Sequence, residues 1–258
     1  MLKAKKQRDA FNRAWENLTD YLWCFYYDRE STAVHQARVA TKRMKAQLLI
    51  FQALGEPKAR PPAFKKVQKI FKHLGLIRSA QIHLARLDGY GLAGSEHGRK
   101  IHFTQTFETR RFADRYAAYV KDLKKAHAAL EAGFTDLDLA VLETLLLKEM
   151  QDVERFFKKR YKNADQLHDV RKKIKNLLYV LPVLPKILRK KLLINTDYLD
   201  ELQEAIGKWH DAHDVVEELR IMKYGNEQVL EELIESRHVR REEVYTLSTD
   251  FVLKATLV

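Results

Sequence analysis

The stretch VHQARVATKRMK, residues 34–45, places a histidine, an arginine and two lysines along one side of a predicted helix. Each residue of an α-helix turns by about 100°, so the i, i+3, i+7, i+10 spacing of these side chains confines them to an arc of roughly 80°. The four residues are His35, Arg38, Lys42 and Lys45. They form a cationic row.

A second stripe on the same predicted helix is apolar. Its members follow the i, i+3, i+7, i+10, i+14 spacing that is typical of a face packed against a core. They are Val34, Ala37, Thr41, Met44 and Leu48. The basic residues are therefore arranged along the helix rather than scattered around it.

The composition indicates an ordered, α-rich globular protein. The chain has 258 residues, of which 46% are apolar or aromatic, and only 9 are glycine and 5 proline. At about 150 residues per domain, this length allows one large or two modest domains. So few helix-breaking residues argue against long linkers or disorder.

The charge balance points to an anionic partner. Lys and Arg number 47 against 35 Asp and Glu, which gives a formal charge of +12. A surplus of this size favours polyanions such as nucleic acid, anionic lipid or condensed phosphate. A single cysteine, Cys24 in the run YLWCFYY, is expected to be a buried free thiol in the cytoplasm, within a run that we expect to lie in the core or at a bundle interface. No apolar run reaches about 18 residues and the N-terminus lacks a signal-peptide core, so membrane insertion and secretion are not expected.

The cationic row recurs in the second half of the chain. In LHDVRKKIKNLLYVL, residues 167–181, three residues repeat the i, i+3, i+7 spacing at an offset of 133 from the first row. These residues are His168, Arg171 and Lys175.

A second pair of segments, residues 64–79 and 196–211, matches at an offset of 132. Val67, Ile70, Leu74 and Gly75 correspond to Leu199, Leu202, Ile206 and Gly207. Agreement between two segments on order, spacing and offset indicates duplication of a unit of about 130 residues.

Both halves are predicted to be helical. The first-half helices are predicted at 5–27, 32–54, 63–75, 78–88 and 97–131. The second-half helices are predicted at 137–161, 165–182, 186–192, 196–208, 210–223 and 226–255. Pro182 and Pro185 should end or kink the second His-bearing helix, and Ser31, Asn163 and Asn195 are suitable at or near N-caps. No strand pattern stands out, so we predict two helical bundles packed against each other.

The paired His-x-x-Arg helices, each followed by a helix that is predicted to end in a Leu-Gly or Ile-Gly turn, resemble the CHAD family, the conserved histidine α-helical domain. The resemblance covers about residues 5 to 255. It implies an all-α fold with two four-helix bundles related by a pseudo-twofold axis. The whole chain, 1–258, would be one domain made of repeats at 5–131 and 137–255, with a central basic cavity that binds inorganic polyphosphate.

The resemblance implies that six residues bind polyphosphate, namely His35, Arg38, Lys42, His168, Arg171 and Lys175. Three further residues, Lys45, Lys172 and Tyr179, extend the two rows. The sequence departs from the family pattern after the first Leu-Gly, where Arg78 is followed by Ser79 instead of aspartate. It also lacks the ExExK motif of the CYTH domain that often accompanies CHAD, so a stand-alone CHAD domain is predicted.

The charges and hydrogen-bond donors of the two rows favour the binding of condensed phosphate. Clustered cations repel one another unless water or a polyanion screens them, and arginine and lysine offer complementary contacts to phosphate oxygens. Histidines with a reference pKa near 6.5 should make binding tighter at about pH 6 than at about pH 8. Steep loss of affinity with salt is also expected.

Two other motifs have competing interpretations. TRRFADRY, residues 109–116, is either a solvated helix face or a rim of the anion site that includes Arg111 and Arg115. WHDAHD, residues 209–214, has the residue types of a metal site, but metal chemistry needs ligands from other helices and none can be assigned. N-capping by Asp211 accounts for one of its residues.

The function predicted from the sequence is non-catalytic binding of inorganic polyphosphate, in the cytoplasm and in association with polyphosphate granules. No catalytic residue, metal or cofactor is predicted. The first alternative is a nucleic-acid-binding helical protein with an outer basic face. The second is a metal-dependent phosphohydrolase centred on His210, Asp211 and Asp214.

Overall fold

The computed structural model describes residues 1–53, 62–158, 163–222 and 225–256, with the side chains of 50–53 left out. Within these ranges all regular elements are helices and no β-strand occurs. The predicted all-α fold is confirmed. The chain divides into two compact units, Met1–Leu137 and Asp138–Val258.

Unit 1 contains four long helices. They are α1 (Ala4–Tyr27), α2 (Ser31–Ala53), α3 (Phe64–Gly89) and α4 (Glu96–Glu131). Each helix packs against the next one in the chain, and α1 also packs against α4, so the four helices close into a bundle.

The apolar stripe of α2 is buried as predicted. Val34 and Met44 are fully inaccessible to solvent, and Thr41 and Leu48 are only 3% exposed. The Thr41 hydroxyl donates to the carbonyl oxygen of Ala37, 3.0 Å away, which satisfies the one polar group in the stripe. Burial of this stripe fixes the rotation of α2 about its own axis.

The two ends of unit 1 are joined by backbone hydrogen bonds. The Leu2 amide donates to the Leu137 carbonyl at 2.8 Å, and the Leu137 amide donates back to Leu2 at 3.0 Å. Lys3 and Asp136 form an ion pair beside this bridge, also at 2.8 Å. The bundle is therefore closed at the point where the chain enters and leaves it.

Unit 2 is built from six α-helices and one short 3-10 helix among its described residues. They are α5 (Leu139–Phe157), α6 (Ala164–Val180), the 3-10 helix (Leu181–Val183), α7 (Lys186–Leu192), α8 (Thr196–Ile221), α9 (Glu227–Ser248) and α10 (Phe251–Ala255). Helix α6 packs against α5 and α8, and α8 packs against α9.

Local sequence signals set the ends of α6 and α8. Asn163 forms a capping box with Gln166 at the start of α6, and Asn195 accepts a hydrogen bond from the Tyr198 amide at the start of α8. After α6, Pro182 lies in the 3-10 helix and Pro185 precedes α7, so the prolines interrupt the helix as predicted.

Three predicted helix boundaries are wrong. Helices α3 and α8 run without a break through the predicted ends near residues 75 and 208, whereas the predicted helix 226–255 is divided into α9 and α10. The division occurs where Thr249 is extended and Asp250 adopts a left-handed φ of 55°. Predicted helix residues 54, 159–161 and 223 lie outside the described residues.

The aromatic run near the end of α1 is only partly in the core. Leu22 and Phe25 are buried, but Trp23 is 49% and Tyr27 60% exposed, and Cys24 is half-buried. The prediction of a buried thiol is therefore wrong, while the prediction that the run lies in the core holds for Leu22 and Phe25. One face of the helix packs inward, and the helical period of 3.6 residues turns the others toward solvent.

None of the helices in the described ranges has the length and apolar character needed to cross a membrane.

Candidate functional site

The guanidinium of Arg38 on α2 is held by the backbone of α3. Its Nη1 donates to the carbonyl oxygen of Phe71 at 2.8 Å, and its Cζ lies 4.1 Å from the centre of the Phe71 ring. One turn later is Gly75, where a Cβ atom would lie 2.7 Å from Nη1 of Arg38. The missing side chain of Gly75 is what allows the arginine to lie against the helix.

Arg171 on α6 is held in the same manner by α8. Its Nε donates to the carbonyl oxygen of Gln203 at 2.9 Å. One turn later is Gly207, where a Cβ atom would lie 2.6 Å from Nη2 and 2.9 Å from Cζ of Arg171. Both units thus contain an arginine hydrogen-bonded to a helix carbonyl four residues before a glycine.

These two glycines were predicted to end their helices, and that prediction is wrong. Neither Gly75 nor Gly207 has a positive φ, and each lies inside a continuous helix. A glycine in a helix interior costs about 1 kcal/mol relative to alanine. At Gly75 and Gly207 the glycine allows a specific contact, because an arginine can approach the helix backbone where no side chain stands.

Arg78 adds a second guanidinium close to Arg38. Burial, and next the positive charge of Arg78, lower the pKa of Arg38 from its ordinary value. The Nε of Arg78 is buried and has no hydrogen-bond partner among the described residues, and its Nη1 donates to the side-chain oxygen of Gln81 at 3.4 Å. Among the described residues, Arg78 is the charged group that acts on Arg38, and no carboxylate offsets it.

The other members of the first row lie along the same helix with different exposure. His35 and Lys42 are exposed, whereas Arg38 and Lys45 are half-buried. The row is therefore accessible to solvent, while the neighbouring stripe fills the core.

In the second row, Gln203 contacts two of the predicted cations. The Nζ of Lys175 donates to its side-chain oxygen at 3.1 Å, and the backbone carbonyl of the same residue binds Arg171. The side chain of Gln203 is buried, and its amide nitrogen donates to Asp200 at 2.8 Å, which fixes its orientation. Lys175 also lies 5.8 Å from the ring centre of Tyr179.

Lys172 is less constrained than its neighbours. It pairs with Asp169 at 2.5 Å on an exposed part of α6. Exposed pairs of this kind contribute little to stability, so Lys172 can exchange this partner for another anion at small cost.

His168 lies against His210 of α8, with ring centres 5.0 Å apart. Burial lowers the pKa of His168, and positive charge on His210 and on neighbouring basic residues lowers it further. A hydrogen bond with Asp214 raises the pKa of His210. Asp211 lies inside α8 rather than at its start, so the predicted N-capping role is wrong and Asn195 takes it.

The predicted rim residues lie on α4, beside the contact with α3. Nη1 of Arg111 is 3.3 Å from a Glu108 carboxylate oxygen. Arg111 and Arg115 lie close enough to His73 for their charges to lower its pKa, an effect secondary to burial. A role for these arginines at the edge of the anion site stays a prediction, as does a cavity shared by the two rows.

Sequence reasoning missed the residues that position the arginines and one buried polar network. Phe71 and Gln203 carry a signal, since each precedes a matched glycine by four residues. The network is centred on His73, which contacts the Tyr119 hydroxyl at 2.7 Å and a Glu108 carboxylate oxygen at 3.1 Å. Its only signal is a histidine on the apolar face of α3.

Comparisons with known proteins agree with this architecture. The family model described as CHAD domain matches residues 6–220. A search of solved structures finds the crystal structure of the CHAD domain from the plant Ricinus communis, with a TM-score of 0.69 and 16% identity, covering 98% of this chain and 93% of that chain. At this identity the likeness concerns the fold. No curated protein sequence matches.

Proposed function

Since the chain belongs to the CHAD domain family, we propose that it binds inorganic polyphosphate without catalysing a reaction on it. The binding residues in this proposal are the members of the two cationic rows and the residues that extend them. They are His35, Arg38, Lys42, Lys45, His168, Arg171, Lys172, Lys175 and Tyr179. The proposed place of action is the cytoplasm, in association with polyphosphate granules.

The observation that carries the proposal is the way Arg38 and Arg171 are held. Each guanidinium donates a hydrogen bond to one helix carbonyl oxygen. Because an arginine has five N–H donors, further donors remain for a ligand. Neither arginine pairs with a carboxylate among the described residues. Fixed guanidinium groups are suited to phosphate oxygens because little side-chain entropy is lost on binding.

Electrostatics favours a polyanion over a single phosphate. Arg38 and Arg78 are near neighbours of like charge, and Arg171 and Lys175 both bind Gln203. One phosphate cannot contact all the members of a row that rises about 1.5 Å per residue along a helix. A chain of linked phosphates can contact several members of a row at once.

The test is a binding titration with labelled long-chain polyphosphate. Removal of a charge-assisted hydrogen bond costs about 1.5–3 kcal/mol, so the double variant Arg38→Ala with Arg171→Ala should lose at least about 100-fold in affinity. The control is Arg13→Ala with Arg189→Ala, which removes two exposed arginines, one from each unit, and should lose less than about fivefold. Equal losses in both double variants would contradict the proposal.

Competition separates this function from nucleic-acid binding. Unlabelled polyphosphate should displace the labelled ligand, whereas duplex DNA at equal phosphate concentration should not. If DNA displaces polyphosphate and binds the Arg38/Arg171 double variant as well as wild type, an outer basic face is the binding surface. Release of inorganic phosphate on addition of Mg²⁺ or Mn²⁺ would instead indicate a hydrolase.

A further inference from the structure

Two stacked phenylalanine rings lie exposed on α4 of unit 1. Phe103 is 70% and Phe107 52% exposed, and their ring centres are 6.2 Å apart with an angle of 16° between the ring planes. Single exposed apolar side chains are common on protein surfaces, but this pair presents neighbouring aromatic faces to solvent. The pair can therefore receive a planar group by stacking.

Arginines stand before and after the two rings on the same face of α4. Arg99, Phe103, Phe107 and Arg110 follow an i, i+4, i+8, i+11 spacing, which confines them to an arc of roughly 80° around the helix. Both arginines are exposed, and Nη1 of Arg99 donates to the carbonyl oxygen of Gly94 at 2.6 Å. The aromatic pair is therefore part of a cationic surface.

A depression of about 430 Å³ lies at the Arg99 end of this face. Its lining residues are Glu96, Arg99, Lys100, Phe103 and Thr104. Lys100 pairs with Glu96 at 2.6 Å, and both side chains are more than 70% exposed. Exposed pairs of this kind contribute little to stability, so Lys100 can turn to another anion at small cost.

A polar cleft of about 450 Å³ lies at the Arg110 end. It is formed by α4 and the turn between α1 and α2, and it is lined by two guanidinium groups, an imidazole, an amide and two hydroxyls. The lining residues are Arg29, His102, Gln105, Thr106, Thr109 and Arg110. Each of these groups can donate a hydrogen bond to an anionic oxygen, and the two arginines supply positive charge. The cleft therefore suits a phosphate group.

The backbone at Arg29 adopts a left-handed φ of 56°, which is uncommon for a residue other than glycine, asparagine or aspartate. Strain of this kind is concentrated at binding sites. The Cζ of Arg29 lies 5.9 Å from the ring centre of Tyr26, while the side chain lines the cleft. The turn therefore holds a positive charge at the cleft in spite of an unfavourable backbone conformation.

We propose that this face of unit 1, formed by Arg99, Phe103, Phe107, Arg110 and the cleft, binds single-stranded nucleic acid. The bases of a single strand can stack on aromatic side chains while arginines contact its phosphates. From Arg99 to Arg110 the helix rises about 16 Å, which is the length of about five stacked nucleotides at about 3.4 Å each. Polyphosphate has no rings to stack, so this binding does not rest on the proposed function of the two cationic rows.

Two other occupants fit this face less well. A helix that lies on a membrane presents a broad apolar face, whereas Phe103 and Phe107 are surrounded by arginines and threonines. A second copy that packed its α4 against this α4 would oppose two sets of arginines, which repel each other. A polyanion with planar groups complements both the charge and the rings.

The first experiment is a fluorescence-anisotropy titration of the full chain with labelled oligouridine of about twelve nucleotides, a strand without secondary structure of its own. Phe103→Leu with Phe107→Leu keeps apolar side chains but removes the rings, and it should lose at least about tenfold in affinity. Phe103→Tyr with Phe107→Tyr keeps the rings and is the matched control. It should bind within about twofold of wild type.

The salt dependence of oligouridine binding tests the arginines. Each phosphate contact to a single strand contributes about 0.7 to the slope of log affinity against log salt concentration. Arg99→Gln with Arg110→Gln should therefore make the slope shallower by about 1.4, which is twice about 0.7. The control Arg13→Ala with Arg189→Ala, which removes two exposed arginines elsewhere, should leave the slope unchanged.

Polyphosphate binding distinguishes this face from the two cationic rows. Phe103→Leu with Phe107→Leu should bind polyphosphate as wild type does, and Arg38→Ala with Arg171→Ala should still bind oligouridine. Loss of oligouridine binding in the Arg38/Arg171 variant alone would assign the strand to the rows and overturn the proposal.

Three further results would overturn it. They are the absence of oligouridine binding by the wild type at about 0.1 M salt, unchanged affinity in the leucine double variant, and equal affinity for uridine monophosphate and oligouridine. Unchanged affinity in the leucine variant, together with wild-type binding to anionic vesicles or self-association in sedimentation, would assign the face to a membrane or a second copy. Far-ultraviolet circular dichroism checks the folding of each variant.

Discussion

The guanidinium of Arg171 lies against Gly207, where a Cβ atom would stand 2.6 Å from its Nη2. The same relationship joins Arg38 to Gly75 at 2.7 Å. In both cases the glycine belongs to a helix interior, and the arginine comes from the neighbouring helix of the same unit. Because the glycine has no side chain, the guanidinium of the arginine can lie against the helix. The first prediction tests this dependence.

Alanine at either glycine should reduce binding without reducing stability. Gly75→Ala or Gly207→Ala gains about 1 kcal/mol in helix propensity and loses one arginine hydrogen bond of about the same size. The displaced guanidinium is at the end of a flexible side chain, so the fold tolerates the new methyl group. Polyphosphate affinity should fall about tenfold in each variant, measured by titration alongside urea unfolding.

Gly89→Ala is the control for this pair of variants. Gly89 is the last residue of α3, and a Cβ atom there would have no neighbour within 4 Å. Its polyphosphate affinity should equal that of the wild type. An equal loss of affinity in Gly89→Ala, or none in the other two variants, would show that the arginines do not depend on the glycines.

The side chain of Gln203 should act on binding through Lys175. Gln203→Met removes the oxygen that accepts from Lys175 but keeps the backbone carbonyl that holds Arg171. Polyphosphate affinity should fall about three- to tenfold. In a double-mutant cycle with Lys175→Met, the second change should have a smaller effect when the first is present, because the two residues act together. Additive losses would contradict this coupling.

Polyphosphate affinity should rise as the pH falls, partly through His168. Burial and nearby positive charge hold the pKa of His168 below its usual value in the free protein, and bound phosphates would raise it. Binding then takes up a proton between the two pKa values. Affinity should increase as the pH falls from about 7.5 to about 5.5, by up to about tenfold for each unit of the pKa rise.

His168→Gln tests this assignment. The variant should have a flatter pH profile than the wild type over the same interval. The expectation fails if the two profiles have the same slope, because the proton would then be taken up elsewhere.

The buried network around His73 should contribute to stability and not to binding. Tyr119→Phe removes the hydroxyl 2.7 Å from Nδ1 of His73 and leaves that nitrogen buried and unpaired. The free energy of unfolding should fall by about 1–3 kcal/mol, with polyphosphate affinity unchanged. Tyr26→Phe, at a half-buried ring stacked on Tyr116, is the matched control and should lose less than about 0.5 kcal/mol. Equal losses of stability in both variants would contradict the network.

The sequence predicts the features that depend on periodicity and on local caps. The burial of Val34 and Met44, the interruption after α6 and the caps at Asn163 and Asn195 all follow from patterns within a few residues. These signals act through the backbone of one segment, so they can be interpreted without knowing the packing partner.

The missed features depend on contacts between segments far apart in the chain. Gly75 and Gly207 resemble helix terminators until an arginine from another helix is seen beside them. His73 and Glu108 are 35 residues apart in sequence, and His168 and His210 are 42 apart, so no local spacing connects them. Packing between helices, rather than local sequence, determines which contacts these residues make.

The hydrogen bonds between Leu2 and Leu137 have a topological consequence. They bring the first and last residues of the unit 1 bundle together. A short linker could therefore join these two positions, and the chain could be opened between α1 and α2. The product would be a circular permutant of unit 1 with the same four helices. The order in which the helices are synthesised would change, while the neighbours of each helix would not.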